Sequence, residues 1–296
     1  MAQINITALR HSAFYSPLLM TICGGYLKDE GLDPGYRVST PANPMPESLR
    51  SGKAHLSQAA VATSFDTLER GDSCDIVHFA QINERDGFFI ASRNPQPGFT
   101  WDRLKGRELL VDHGFQPLAM FRYALHKKAI DPSQVNIVDA GSTEAIDAAF
   151  RAGQGDYVHQ QGPFPQQLEK EGIAHVVASV GDAIGPVAFS SLCATREWLA
   201  TEMAQAFMRA YRRARQFVVE APAAEIASLE SRYFPGIDTD VLAHAIAAYQ
   251  GLGCWTPDTS ITQEAYENLL DVFLYNGLIS KRHAYEACIT TLPKLA

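Results

Sequence analysis

Long apolar runs are missing from this sequence. Nowhere do about 18 apolar residues follow one another, which excludes a membrane-spanning helix of ordinary length. Basic charge is scarce as well: 25 Lys plus Arg stand against 33 Asp plus Glu, for a net charge of −8. An acidic chain without a basic run is a poor partner for a phosphate backbone, so no nucleic acid is expected. Cysteine is sparse and odd in number, with five residues at 23, 74, 193, 254 and 288 and no C-x-x-C pair, so no disulfide framework is expected. The nine histidines form no H-x-x-x-H pair and have no cysteine at zinc spacing, which argues against a metal centre. Neither a G-x-S-x-G elbow nor a G-x-x-x-x-G-K-[ST] loop occurs, and the expected cofactor complement is none. The N-terminus, MAQINITALRHS, has no apolar core region and no basic leader. As it stands the chain reads as cytoplasmic, and as periplasmic if a signal has been removed. No internal repeat or low-complexity tract interrupts it.

What remains is an ordinary globular composition, 46% hydrophobic and 20% charged over 296 residues. At about 150 residues per domain, that length suggests two domains. Short strands alternate with helices through the first two thirds. The segments 4–9, 36–39, 55–58, 75–80, 87–92, 107–111, 135–138, 156–159, 175–180 and 187–194 read as strands, by alternation or as buried apolar runs. Pro17 suits the first turn of a helix carrying Leu18, Leu19, Ile22, Tyr26 and Leu27, with Gly31 as its stop. Helical spacing marks 118–129, 143–151 and 164–171, and from Thr195 onward the chain reads as helices: 195–220, 221–233, 238–252 and 262–275. Arg209, Arg212, Arg213 and Arg215 read as a solvated helix face, with an anion patch as the alternative. The fold class is α/β.

In layered α/β folds, ligands collect beyond the carboxyl ends of strands, beside helix N-termini. This rule singles out Arg10–Tyr15, Ser57–Ala60, His113–Gln116 and Tyr157–Gly162. Arg10, His11 and Ser12 follow the first strand as candidate donors, with Ser12 alternatively capping the helix. Tyr15 stacks on a planar ligand or packs as a staple. Gln58, followed by Ala59, ends a strand, and its amide can both donate and accept, toward a ligand or as a cap. Gly114, Phe115 and Gln116 offer the free N–H groups of a helix start, whereas Pro117 has none. Tyr157, His159, Gln160 and Gln161 form either a hydrogen-bonding pocket or a polar surface loop.

The phrases ITALRHSAFYSPLL, GGYLKDEGLDPGYRV, LRSGKAHLSQAAVATSFDTLERG and AIDAAFRAGQGDYV, in that order, resemble the type II periplasmic-binding-protein family. This family serves nitrate, sulfonate, taurine and thiamine-precursor importers. His55 stands where the family usually has Asp. The resemblance runs from about Ile4 to Leu278 and implies a two-lobed fold, each lobe a mixed sheet flanked by helices. Lobe one would comprise residues 1–83 plus 191–296 and lobe two 84–190, with crossovers near 83–87 and 186–191. It further implies a monomer that closes on a small-molecule ligand by hinge motion and hands it to an ABC permease. Asn83, at the first crossover beside Glu84 and Asp86, becomes a further ligand candidate. Enzymes share the fold, but the pyridoxal-phosphate lysine and histidine of its pyrimidine synthases have no counterpart in LSQAAVATSFDTL. Cys23 is the one early candidate for a desulfinase nucleophile and reads as a buried structural thiol. The expectation is therefore a binder without catalysis, its ligand small and polar, with a planar heteroaromatic such as a thiamine-precursor pyrimidine as the candidate. The alternatives are an enzyme on the same fold or a ligand sensor.

Overall fold

The computed structural model describes residues 1–112 and 115–292, so the candidates His113 and Gly114 lie outside the described residues. Ten strands are present among them: β1 (Ala2–Ala8), β2 (Leu32–Val38), β3 (Leu56–Ala59), β4 (Ile76–Asn83), β5 (Phe88–Ser92), β6 (Glu108–Val111), β7 (Asn136–Asp139), β8 (Tyr157–Gln161), β9 (His175–Ser179) and β10 (Ser190–Thr195). They form two five-stranded sheets, ordered β2-β1-β3-β10-β4 and β7-β6-β8-β5-β9. In the first, β1 is parallel to β2 and β3, while β10 runs antiparallel to β3 and β4. In the second, β6 is parallel to β7 and β8, and β5 runs antiparallel to β8 and β9. Each mixed sheet carries helices, and each is the centre of one lobe. The chain passes from the first lobe to the second between β4 and β5 and returns between β9 and β10.

Local chemistry explains where the elements begin and end. Ile4, Ile6 and Ala8 alternate into the core along β1. β2 starts at Leu32, before the expected Tyr36, and runs through Pro34; an edge strand tolerates the missing N–H. The first helix is shorter than its periodicity suggests, Ser16–Cys23, because Gly25 takes a left-handed φ of 87° and a new turn begins at Tyr26. The expected 195–220 helix is two, Arg196–Leu199 and Glu202–Glu220. Thr201 separates them, and its hydroxyl accepts from the Ala204 N–H as an N-cap.

The arginine face also divides. Arg209 and Arg213 reach Glu30 and Asp29 at the surface, as a solvated face would. Arg215 does not: it is wholly buried and donates to the carbonyls of Gln81, Ile82 and Thr256. It thereby ties the last long helices to the end of β4.

Between the lobes the packing is continuous. Phe189 stands 5.4 Å from Phe14 of the first lobe and 6.3 Å from Phe88 of the second, and Phe89 of the second stands 5.5 Å from Tyr249 of the first, ring to ring. The Tyr249 hydroxyl accepts from the Gly162 N–H at 2.7 Å and donates to the Gly87 carbonyl at 3.1 Å. A Cβ on Gly87 would sit 2.5 Å from the Phe14 ring, so this close approach requires glycine. The Ser12 hydroxyl donates to the Gly162 carbonyl at 2.8 Å, and Lys170 meets Asp238 and Asp240 at the outer edge.

Candidate functional site

The carboxyl ends of β1, β3, β6 and β8 converge where the lobes meet, and the residues just beyond them line a cavity of about 510 Å³. Lobe one contributes Leu9, Arg10, Tyr15, Gln58, Thr63 and Asp66, and lobe two Phe115, Gln116, Pro117 and Gln161; Phe189 and Ser190 come from the return crossover. A second cavity of about 400 Å³ shares Leu9, Arg10 and Gln161 with the first and adds His11, Val38, Thr143, Glu144 and Phe164. Arg10 stands between the two.

Arg10 is committed. Its guanidinium meets Asp112 through two hydrogen bonds, 2.5 Å to Oδ2 and 3.0 Å to Oδ1, and approaches the Thr143 hydroxyl at 3.4 Å. Thr143 in turn donates to Asp112 at 3.1 Å. The pair spans the lobes, since Arg10 follows β1 and Asp112 follows β6. Asp112, 2% exposed, lies under it.

Gln58 lines the cavity with an amide already used at both ends. Its oxygen accepts from the Leu9 and Arg10 N–H groups, and its nitrogen donates to the Ser190 hydroxyl at 2.7 Å. Gln116, by contrast, is half committed: its nitrogen donates to the Phe189 carbonyl at 2.9 Å, while its oxygen has no partner among the described residues. The Gln161 oxygen is likewise without one. Tyr15 is buried at the cavity wall, and burial raises its hydroxyl above the ordinary phenol range. Phe115 lies 54% exposed at the rim, edge-on to Phe273 of lobe one. The helix Phe115–Lys127 begins here, and its first N–H groups have no intrahelical acceptor.

Other candidates sit elsewhere. Tyr157 is at the opposite end of β8 and makes hydrogen bonds with Gln96 and the Arg103 carbonyl, on a separate polar concavity of lobe two. Gln161, four positions further along β8, takes the cavity position. His159 is fully buried between Phe88 and Phe121, with ring centroids 4.4 and 5.3 Å away; burial pushes its imidazole down to about 3. Gln160 points to the other face of β8, where its nitrogen donates to the Thr143 carbonyl. Asn83 is buried in the crossover and donates to the Phe14 carbonyl at 2.6 Å. Ala59 lies wholly under the cavity, and Ala60 faces it. His11 lines the second cavity, held by Tyr36 and the Tyr233 carbonyl; burial lowers its pKa.

Asp112, Thr143, Asp66, Phe189 and Ser190 were not among the sequence candidates. Asp112 carries the one usable signal, an acid immediately beyond a strand end and ahead of a helix start. Its partner lies 102 residues away, at a distance no local pattern spans. Among the described residues no group of three His, Cys, Asp or Glu could hold a metal ion. The Cys23 thiol is half-buried and pushed up to about 12 by burial, the reverse of an activated nucleophile.

A family model described as NMT1/THI5 like matches residues 14–225. The chain is 28% identical over 293 residues to the "Putative binding protein YtlA" of Bacillus subtilis (strain 168), covering 98% of this chain and 88% of that one. Among solved structures, the ligand-binding component of an ABC-type import system from Staphylococcus aureus superposes with a TM-score of 0.76 at 17% identity, over 98% of this chain and 97% of that one. The alkanesulfonate-binding protein SsuA from Xanthomonas axonopodis pv. citri, bound to MOPS, gives 0.74 at 17% identity, over 98% and 99%. These likenesses establish a two-lobed periplasmic-binding-protein fold.

Proposed function

The chain belongs to the NMT1/THI5-like family, and on that premise we propose that it is a solute-binding protein of an ABC-type importer. It binds one small organic molecule between its lobes and closes on it about the crossovers near 83–87 and 186–191. An ABC permease is the partner that receives the ligand. The observation that carries this reading is the interlobe cavity of about 510 Å³, walled from both lobes by residues beyond strand carboxyl ends.

The lining favours a particular chemistry. Gln116 and Gln161 hold unpartnered carbonyl oxygens, which call for ligand N–H or O–H donors. The start of the helix Phe115–Lys127 offers N–H groups to a ring acceptor. Tyr15, Phe115, Phe189 and Leu9 supply apolar area for a flat body. An uncharged or cationic nitrogen heterocycle meets all three demands, and a thiamine-precursor aminopyrimidine is the ligand we propose. Binding rather than catalysis is supported by the thiols, since Cys193 and Cys288 are, like Cys23, pushed up to about 12 by burial.

Native mass spectrometry of the purified protein, followed by calorimetry with the aminopyrimidine, tests the proposal. Removing a hydrogen bond to a buried partner costs about 1–3 kcal/mol, so Gln116→Ala is expected to weaken binding roughly ten- to hundredfold. Unchanged affinity in that variant would move the site away from the cleft.

A further inference from the structure

Both cavities between the lobes are lined by a single Lys or Arg among the described residues, and that residue is Arg10. Left alone, Arg10 beside the first N–H groups of the helix Phe115–Lys127 would make an anion site, with a full positive charge facing a helix N-terminus. Asp112 prevents this. It takes both Nη nitrogens of Arg10 in a bidentate pair, and it is itself held by the Thr143 hydroxyl.

We propose that Asp112 is the residue that sets the charge preference of the cleft, by consuming Arg10 so that anions are rejected and uncharged or cationic ligands are accepted. This rests on the cleft being the binding site. An incoming sulfonate or carboxylate must either approach Asp112 as a like charge or pull Arg10 away from it. The second route leaves a carboxylate that is 2% exposed without its counterion, a strongly unfavourable burial. A neutral donor-bearing ligand meets neither obstacle, because the ion pair stays intact and the ligand uses the Gln116 and Gln161 oxygens. Asp66 at the rim adds a second carboxylate and works in the same direction. Asp112 touches Arg10 from the second lobe, so the pair forms only when the lobes meet, and the charge filter acts on the closed state.

The test titrates ethanesulfonate, an aliphatic anion, and benzamidinium, a flat organic cation, into wild type, Asp112→Asn and Arg10→Gln by calorimetry. Asn keeps the size of Asp and can still accept from Thr143, but it leaves Arg10 with its charge unspent. Asp112→Asn is expected to bind ethanesulfonate at least tenfold more tightly than wild type, and a double variant carrying Arg10→Gln as well is expected to lose that gain. Arg10→Gln alone exposes Asp112 to the cavity and is expected to bind benzamidinium at least tenfold more tightly than wild type; this arm stands if Asp112→Asn does not fold. Wild type binding ethanesulfonate as well as Asp112→Asn, or folded variants with neither gain, would overturn the assignment. Scattering on the wild type with the aminopyrimidine separates the two readings. Compaction there, with no gain in either variant, overturns the charge filter alone, whereas no binding and no compaction anywhere overturns the cleft as well.

Discussion

His78 and His159 are both fully buried, and burial holds each neutral, with pKa values near 3. Their unfolded value is about 6.5. A folded pKa below the unfolded one gives stability that is fully present above about pH 6.5 and is lost as pH falls toward 3. Each contributes a slope of about 1.4 kcal/mol per pH unit inside that window. Urea midpoints are therefore expected to fall steeply between pH 6.5 and 4. His159→Phe, which places a phenyl between Phe88 and Phe121, is expected to flatten that fall; an unchanged slope would mean that His159 is not neutral in the fold. Asp86 works in the opposite sense. Its buried carboxyl is raised to about 8, with one oxygen accepting from the Phe88 N–H at 2.6 Å. The stability of its protonated form is present below about pH 4 and lost as pH rises through 8. Asp86→Asn is expected to be more stable than wild type at pH 9 and no more stable at pH 5, by the same urea titration. None of this was legible in the sequence. His159 read as a ligand candidate because its residue type suits one, whereas its actual surroundings, Phe88 and Phe121, come from separate elements. Gln58 does line the cavity, but the sequence could not show that its amide is already spent on Leu9, Arg10 and Ser190, the last 132 residues away.

Elements were far easier to read than individual contacts. Alternation along Ile4–Ala8, the strand that ends at Val111 and the capped helix Thr143–Arg151 are local patterns, and the structure has each of them. The rule that ligands gather beyond strand carboxyl ends located the segments around Arg10, Gln58, Gln116 and Gln161, all of which line one cavity. What it could not give was the end of β8 that matters. Tyr157 and Gln161 lie on the same face, and the direction of β8 in the sheet, parallel to β6, puts Gln161 at the cleft. The helix break at Gly25 and the new start after Thr201 depend on single residues inside otherwise periodic runs. Tyr249 is the contact between elements with the clearest consequence, because its hydroxyl serves Gly162 and Gly87 at once. Tyr249→Phe leaves two buried backbone groups short of a partner, at a cost of about 1–3 kcal/mol. Hydrogen exchange is expected to accelerate at the Gly162 amide in that variant; unchanged protection would show that the hydroxyl does not secure this junction.

At the scale of the whole molecule, two five-stranded sheets meet at a packed junction and enclose a cavity bounded by both. The contacts across the lobes differ in kind. Lys170 with Asp238 and Asp240 is exposed and contributes little, whereas the Arg10–Asp112 pair and the Tyr249 bridge are enclosed. Opening the cleft means giving up the enclosed contacts, so a ligand favours closure only through interactions with both lobes. The cavity offers such a ligand Tyr15 on one side and Gln116 and Gln161 on the other. Small-angle scattering of the wild type, with and without the aminopyrimidine at concentrations where calorimetry reports saturation, is the most direct measurement of this. Closure on the ligand predicts a radius of gyration that falls on binding, with Gln116→Ala at the same ligand concentration staying expanded. Saturable binding with unchanged scattering, or equal compaction in Gln116→Ala, would contradict it.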